Sequence, residues 1–160
     1  MRLTNRNKAG FYNFISTTIL LIFVFGCGAF FMDLFKFDFL GKGTTALLII
    51  VPSFLGLIFY LRGRQIFEYD SDGEALNFKN RNVLFYQKAI SDEFPKYKLV
   101  SYEIIDVLIL RKLYISVSSK KNKVITLKYD ISYLSKRELK DLKFSLSKVI
   151  KENQEIKREH

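Results

Sequence analysis

The sequence predicts an α+β chain in two parts: a two-helix transmembrane hairpin, then a seven-stranded antiparallel β-sandwich or open barrel with one carboxy-terminal capping helix. Three observations carry this reading. Residues 11–32 and 44–61 contain no charged side chain and lie only eleven residues apart. From Arg64 onward the texture becomes apolar–polar alternation, the period of half-buried strands. A helical pattern with its own start signal then begins at Leu134.

A membrane-spanning helix needs about 20 predominantly apolar residues, so the first run is long enough and the second just reaches the length. A soluble core could not bury two such segments with almost no polar face. Pro52 removes one backbone hydrogen bond from the second helix, which spanning helices tolerate where neighbours re-satisfy the freed group. Gly26, Gly28 and Ala29 are small enough to let two helices approach closely in a bilayer. The connecting loop carries Phe35, Phe37, Phe39 and Leu40, which belong at a bilayer edge.

Residues 1–61 hold five basic and two acidic side chains, and residues 62–160 hold 21 and 14, net +3 and +7 of the total +10. Lys and Arg number three before the first span, two in the loop and two (Arg62 and Arg64) just after the second. The positive-inside rule therefore expects both termini in the cytoplasm, with Arg62 and Arg64 as membrane-interface anchors. A competing reading starts from the same segment. Basic residues, an apolar region and Val24, Phe25, Gly26 and Cys27 resemble a lipoprotein signal, in which Cys27 would carry lipid. Phe25 is bulky for such a box, and the chain stays apolar to Met32. Cys27 is the single cysteine, so no intrachain disulfide or thiolate metal cluster is expected.

Taken in order, residues 65–69 and 74–79 read as a β-hairpin whose turn is Asp70, Ser71, Asp72 and Gly73. The same turn resembles part of a calcium loop, but Leu76, Phe78 and Arg81 stand where later ligands would be needed. Residues 83–86 read as a third strand and 88–96 as a loop or short turn. Residues 97–102, 104–110, 114–118 and 124–128 supply four more strands, the last two joined by the Lys-rich turn at 120–123. In the helix, Ser135 and Glu138 form a capping box and Leu134 with Leu139 a hydrophobic staple. Leu139, Leu142, Leu146, Val149 and Ile150 make one apolar stripe. Residues 154–160 are expected to fray. The expected division is 1–63 hairpin, 64–153 domain and 154–160 tail.

Seven strands followed by one amphipathic helix, attached to the hairpin ending at Arg62, Gly63 and Arg64, with turns around Asp72, Gly73 and Asn122 and a helix from Leu134, resemble the bacterial PH-domain membrane proteins, including the YcxB-like group. The resemblance implies a PH-like domain with a binding or scaffolding role. It does not extend to phosphoinositide recognition, since the first hairpin lacks a Lys-x-Arg phosphate motif, and no Trp stands in the closing helix.

The charge surplus favours an anionic partner. The cytoplasmic leaflet is one, at about 1 kcal/mol per nearby Lys or Arg; nucleic acid is not expected, because no recognition motif or basic arm accompanies the charge. Lys120, Lys121 and Lys123 at a hairpin tip are the expected contacts for anionic lipid or a protein partner. Lys140, Phe144 and Lys148 form a second candidate, a basic helix face with one exposed aromatic, similar to a membrane-surface helix. No catalytic residue, metal or cofactor is expected: the sole histidine is His160, residues 41–44 lack the surroundings of a phosphate loop, and Asp92, Glu93, Glu103 and Asp106 show no acid–base spacing. Arg111 is the natural partner for a carboxylate at 103 or 106. The expected function is a membrane-anchored binding module that is not an enzyme, with possible self-association. The alternative is a small structural or regulatory subunit whose hairpin docks laterally to other membrane proteins.

Overall fold

The computed structural model describes residues 1–35, 41–83, 89–119 and 123–159. The chain divides into two compact units, Gly10–Leu61 and a second made of Met1–Ala9 with Arg62–His160.

The first unit is helical. Helix α1 covers Ala9–Leu34 and α2 covers Lys42–Leu61, matching the two expected runs to within two residues at each end. Both are long and apolar enough to cross a membrane, with mean hydropathies of 2.3 and 2.1, and only 17% and 11% of their apolar windows are buried. A core helix of a soluble protein would be mostly buried. Pro52 lies inside α2 and leaves the carbonyl of Leu48, four residues back, without its helical donor. Gly26 of α1 packs on that carbonyl: a Cβ built there would sit 2.6 Å from the Leu48 oxygen. Ala29, one turn on, is buried, whereas Gly28 faces open space. Of the expected small-residue contacts, Gly26 and Ala29 are therefore made and Gly28 is not. Thr45 Oγ1 donates to Asp33 Oδ2 at 2.7 Å near the connection; residues 36–40 of the expected apolar loop lie outside the described residues.

The second unit is α+β. A four-stranded antiparallel sheet runs β1 (Arg2–Thr4), β2 (Ile66–Asp70), β3 (Ala75–Arg81) and β4 (Ile90–Pro95) in that order, and a three-stranded one runs β5 (Leu99–Val107), β6 (Leu110–Ser118) and β7 (Val124–Asp130). Among the described residues the two sheets do not close into a barrel. Helix α3, Lys136–Glu159, follows. The core lies where Phe67, Phe78 and Leu76 of one sheet meet Leu113, Ile115 and Tyr129 of the other, under Leu142 and Leu146 of α3. Phe94, Phe78 and Tyr129 stack in series, with centroids 5.6 and 5.0 Å apart.

Several expectations are corrected. The first strand precedes the helical hairpin: Leu3 pairs with Tyr69 across 66 residues of chain, so residues 1–9 belong to the β-rich unit and the hairpin is an insertion between β1 and β2. Residues 90–95, expected as a loop, are edge strand β4; Phe94 points into the core while Ser91 and Glu93 face water. Of the strand expected at 83–86, Val83 lies in no strand and the rest falls outside the described residues. The two strands expected at 97–102 and 104–110 are one nine-residue strand, β5, and the chain turns at Leu108 and Ile109. Helix α3 runs to Glu159 and so includes residues expected to fray. Pairs Lys148–Glu152 and Lys151–Glu155 line its last turns, and Asn153 Nδ2 donates to the carbonyls of Lys96 and Leu99.

Other signals stand as read. The capping box is complete, with Ser135 N donating to Glu138 Oε2 at 2.7 Å and Glu138 N to Ser135 Oγ at 3.3 Å. At the first hairpin turn Asp70 Oδ1 accepts from Asp72 N, which holds the Asp70 carboxyl below its ordinary pKa, and Gly73 takes φ 77.

Candidate functional site

The β-rich unit has two ends, set by the direction of β6 and β7. At one end the chain joins the apolar helices. Arg62 follows Leu61, the last residue of α2; its Nη2 donates to Ser132 O at 2.8 Å and its guanidinium lies 4.4 Å from the centre of the Tyr133 ring. Gly63 adopts φ 77 against the Asp130 carboxylate. Arg64 N donates to Asp130 Oδ2 at 3.2 Å, and its guanidinium stands 3.5 Å from the same oxygen. The Nε atoms of both arginines are buried without a hydrogen-bond partner among the described residues. Such groups cost free energy, offset here by the pairings of the rest of each guanidinium.

The other chain crossing is fastened at the same unit. Lys8, the residue before α1, donates from Nζ to both carboxylate oxygens of Glu138, at 3.0 and 2.9 Å. Burial raises the Glu138 pKa, but the hydrogen bonds from Ser135 and Lys8 and the charge of Lys8 outweigh it, so the carboxyl sits below its ordinary value. Both segments that lead into the apolar helices are thus held by side chains around the start of α3.

The sheets are joined nearby through a residue the sequence did not single out. Asn80 is fully buried; its Nδ2 donates to Ile66 O and Asp130 O, each at 3.0 Å, and its Oδ1 accepts from Asp130 N at 2.9 Å. Asn5 does similar work for β2, its Nδ2 donating to Gln65 O and its Oδ1 accepting from Phe67 N. No local signal marks either asparagine, because their partners lie 14 to 62 residues away.

The expected lysine tip lies at the opposite end. Ser118 pairs with Val124, and Ser119 N donates to Lys123 O at 2.8 Å. Lys123 is exposed; Lys120 and Lys121 lie outside the described residues. Seven residues of β7 separate this tip from Asp130, roughly 20 Å at about 3.3 Å per residue. The structure therefore does not bring Lys123 together with Arg62 and Arg64. Lys140, Phe144 and Lys148 lie along α3, all exposed, with Phe144 at 72%. Lys148 pairs with Glu152 at 3.9 Å. Lys140 stands about half a turn beyond Glu138. Arg62 and Arg64, expected at a membrane interface, are half-buried against Ser132, Tyr133 and Asp130.

The carboxylates considered for acid–base work are in structural pairs or face water. Asp92 Oδ2 accepts the Tyr129 hydroxyl at 2.7 Å, and burial together with this carboxylate pushes the tyrosine far above its ordinary pKa. Asp106 pairs with Arg111 across the β5–β6 hairpin, Nε to Oδ2 at 2.8 Å, the partner anticipated but in a half-exposed setting. Glu93 and Glu103 are exposed. Among the described residues, no three His, Cys, Asp or Glu side chains group as metal ligands. A surface groove of about 450 Å³ over β1 to β3 sets Arg2, Arg6 and Lys79 against Glu68 and Asp70, a lining of mixed charge. Helix α1 runs unbroken through Cys27.

The chain matches no family model, no curated protein and no solved structure.

Proposed function

We propose that this chain is a membrane-anchored, PH-like binding or scaffolding module without catalytic activity. In this reading α1 and α2 span the inner membrane as a hairpin with both termini in the cytoplasm, and the α+β unit sits at the cytoplasmic face. One observation carries the reading: two apolar helices interrupt a single sheet between β1 and β2, so the unit is tied to the anchor by two short segments. The four-plus-three strand arrangement closed by α3 supports the PH-like assignment, with the difference that the first strand precedes the anchor. Lys123 stands at the far end from both tethers, and with Lys120 and Lys121 close by in the sequence it suits an acidic protein partner reached away from the bilayer. The Lys140–Phe144–Lys148 face is a second surface for anionic contact.

The test is a photo-crosslinker placed at Ser118 in the full chain in cells. A partner should be captured there and lost when Lys120, Lys121 and Lys123 are all changed to Glu. Unchanged capture removes the lysine tip from the reading. The alternative, a subunit that docks laterally, is favoured by the outward exposure of Phe14, Leu21 and Phe54 along the helices. It expects capture through residues 11–61 instead.

A further inference from the structure

We propose that the β5–β6 hairpin tip is an apolar wedge that inserts into the acyl–headgroup boundary of the bilayer the chain is anchored in. This rests on reading α1 and α2 as membrane spans. Val107, Leu108, Ile109 and Leu110 form an uninterrupted aliphatic turn between Asp106 and Arg111. Leu108 is 98% exposed, and Val107, Ile109 and Ile105 are 52%, 45% and 41% exposed. The backbone adds weight. Leu108 holds φ 52, the one positive φ outside glycine among the described residues, at a turn position where Gly, Asn or Asp is the unstrained choice in water. A strained, fully solvated leucine at a loop tip has no role in the core of this unit.

Its place in the fold identifies the occupant. Arg111 N donates to Ser132 Oγ at 2.9 Å, and Ile131 N donates to Arg111 O at 2.9 Å. Ser132 is also the residue whose carbonyl receives Arg62, covalently next to the last residue of α2. The tip therefore shares an end of the unit with the point where the chain leaves the apolar helix. From Arg111 to Leu108 the strand extends on the order of 7 Å, within the depth of about 5–10 Å at which interfacial elements bury apolar side chains. Behind the tip stand Arg62, Arg64, Arg111 and Lys112, against the carboxylates of Asp106 and Asp130. An apolar point with a net basic collar fits an anionic bilayer surface.

The chain contains no tryptophan, so single Trp variants report one position each. Leu108→Trp, Val124→Trp at the opposite end of the unit and Phe54→Trp in α2 are prepared in the full chain and reconstituted into anionic vesicles. The vesicles contain phospholipid brominated near the headgroup end of its acyl chains. All three substituted positions are exposed, so the fold is kept. The expected result is blue-shifted, bromine-quenched emission for Leu108→Trp and Phe54→Trp, with red-shifted, unquenched emission for Val124→Trp. Quenching at 54 without quenching at 108 overturns the wedge and leaves the anchor standing. Equal quenching at 108 and 124 also overturns the wedge, because the contact would not be specific to the tip. Absence of quenching at 54 overturns the anchor and the wedge together.

Discussion

Gly63 faces the Asp130 carboxylate so closely that a Cβ built on it would lie 2.5 Å from the aspartate Cγ. This contact, with the amide of Arg64 donating to the same group at 3.2 Å, turns the chain from the apolar helix into the first strand of the second part of the sheet. Gly63→Ala meets both the carboxylate and an unfavourable φ of 77. It should destabilise the β-rich unit by about 1–2 kcal/mol from the left-handed backbone alone, with the steric clash adding to that. Thermal unfolding in detergent, monitored by near-ultraviolet circular dichroism, checks this.

Asn80 satisfies three backbone groups of two different sheets at once, Ile66 O, Asp130 O and Asp130 N. Asn80→Leu removes the bridge and leaves buried backbone groups unpaired, each at about 1–3 kcal/mol. The expected loss is at least about 2 kcal/mol, whereas Asn77→Leu, which keeps this bridge, should cost far less. Denaturant midpoints of the two variants distinguish them.

Glu138 combines the helix cap with the Lys8 pair. Its folded pKa lies below the ordinary value of 4.5, so the ionised form is the one that folding favours. The corresponding stability is fully present above the unfolded carboxylate pKa and is lost as pH falls through the lower folded value. Glu138→Gln keeps a side-chain acceptor for the cap but loses the charge facing Lys8, and should lower stability at neutral pH by up to about 1 kcal/mol. The gap to the parent protein should close as pH falls below about 4.5. A gap independent of pH contradicts this assignment.

In the helical unit, Gly26 occupies the space beside the carbonyl that Pro52 leaves without a donor. Gly26→Val should loosen the hairpin by on the order of 1 kcal/mol, the scale of helix contacts in lipid. Gly28→Ala, with open space around it, should be neutral. Unfolding of both variants in mixed detergent micelles gives the comparison.

Leu108→Gly places the residue suited to a positive φ at the β5–β6 turn. Relief of about 1–2 kcal/mol of left-handed strain, less about 0.5–1 kcal/mol for glycine's extra chain entropy, predicts a modest gain in detergent. The same variant should reduce bilayer contact if the tip is a wedge.

The elements legible in the sequence are those whose signals are local. Two uncharged runs of spanning length, the Asp72–Gly73 turn and the Ser135–Glu138 box each announce themselves within a few residues. Strand β1 does not: it is three residues long with Leu3 alone buried, and the strand it joins lies beyond the whole helical insertion. β4 was hidden by its edge position, where Ser91 and Glu93 face water and Pro95 ends the ladder. The turn at Leu108 carries none of the usual turn residues, so an aliphatic run that bends reads as one that continues. For the candidate site, Arg62 and Arg64 were visible as cations beside an apolar run. Their docking on Ser132, Tyr133 and Asp130 was not, since it depends on where β7 ends.

The central claim is that the helices are a membrane hairpin inserted into a sheet that lies on the cytoplasmic side. The most direct measurement is labelling of single cysteines with a membrane-impermeant maleimide in intact cells, in a Cys27→Ala background. Gly43→Cys reports the connection between the helices and Glu74→Cys the first hairpin of the β-rich unit, both exposed positions. Labelling at 43 in intact cells, and at 74 only after the cells are opened, is the expected result. Labelling at 74 in intact cells, or protection of 43 and 74 alike until lysis, would contradict it.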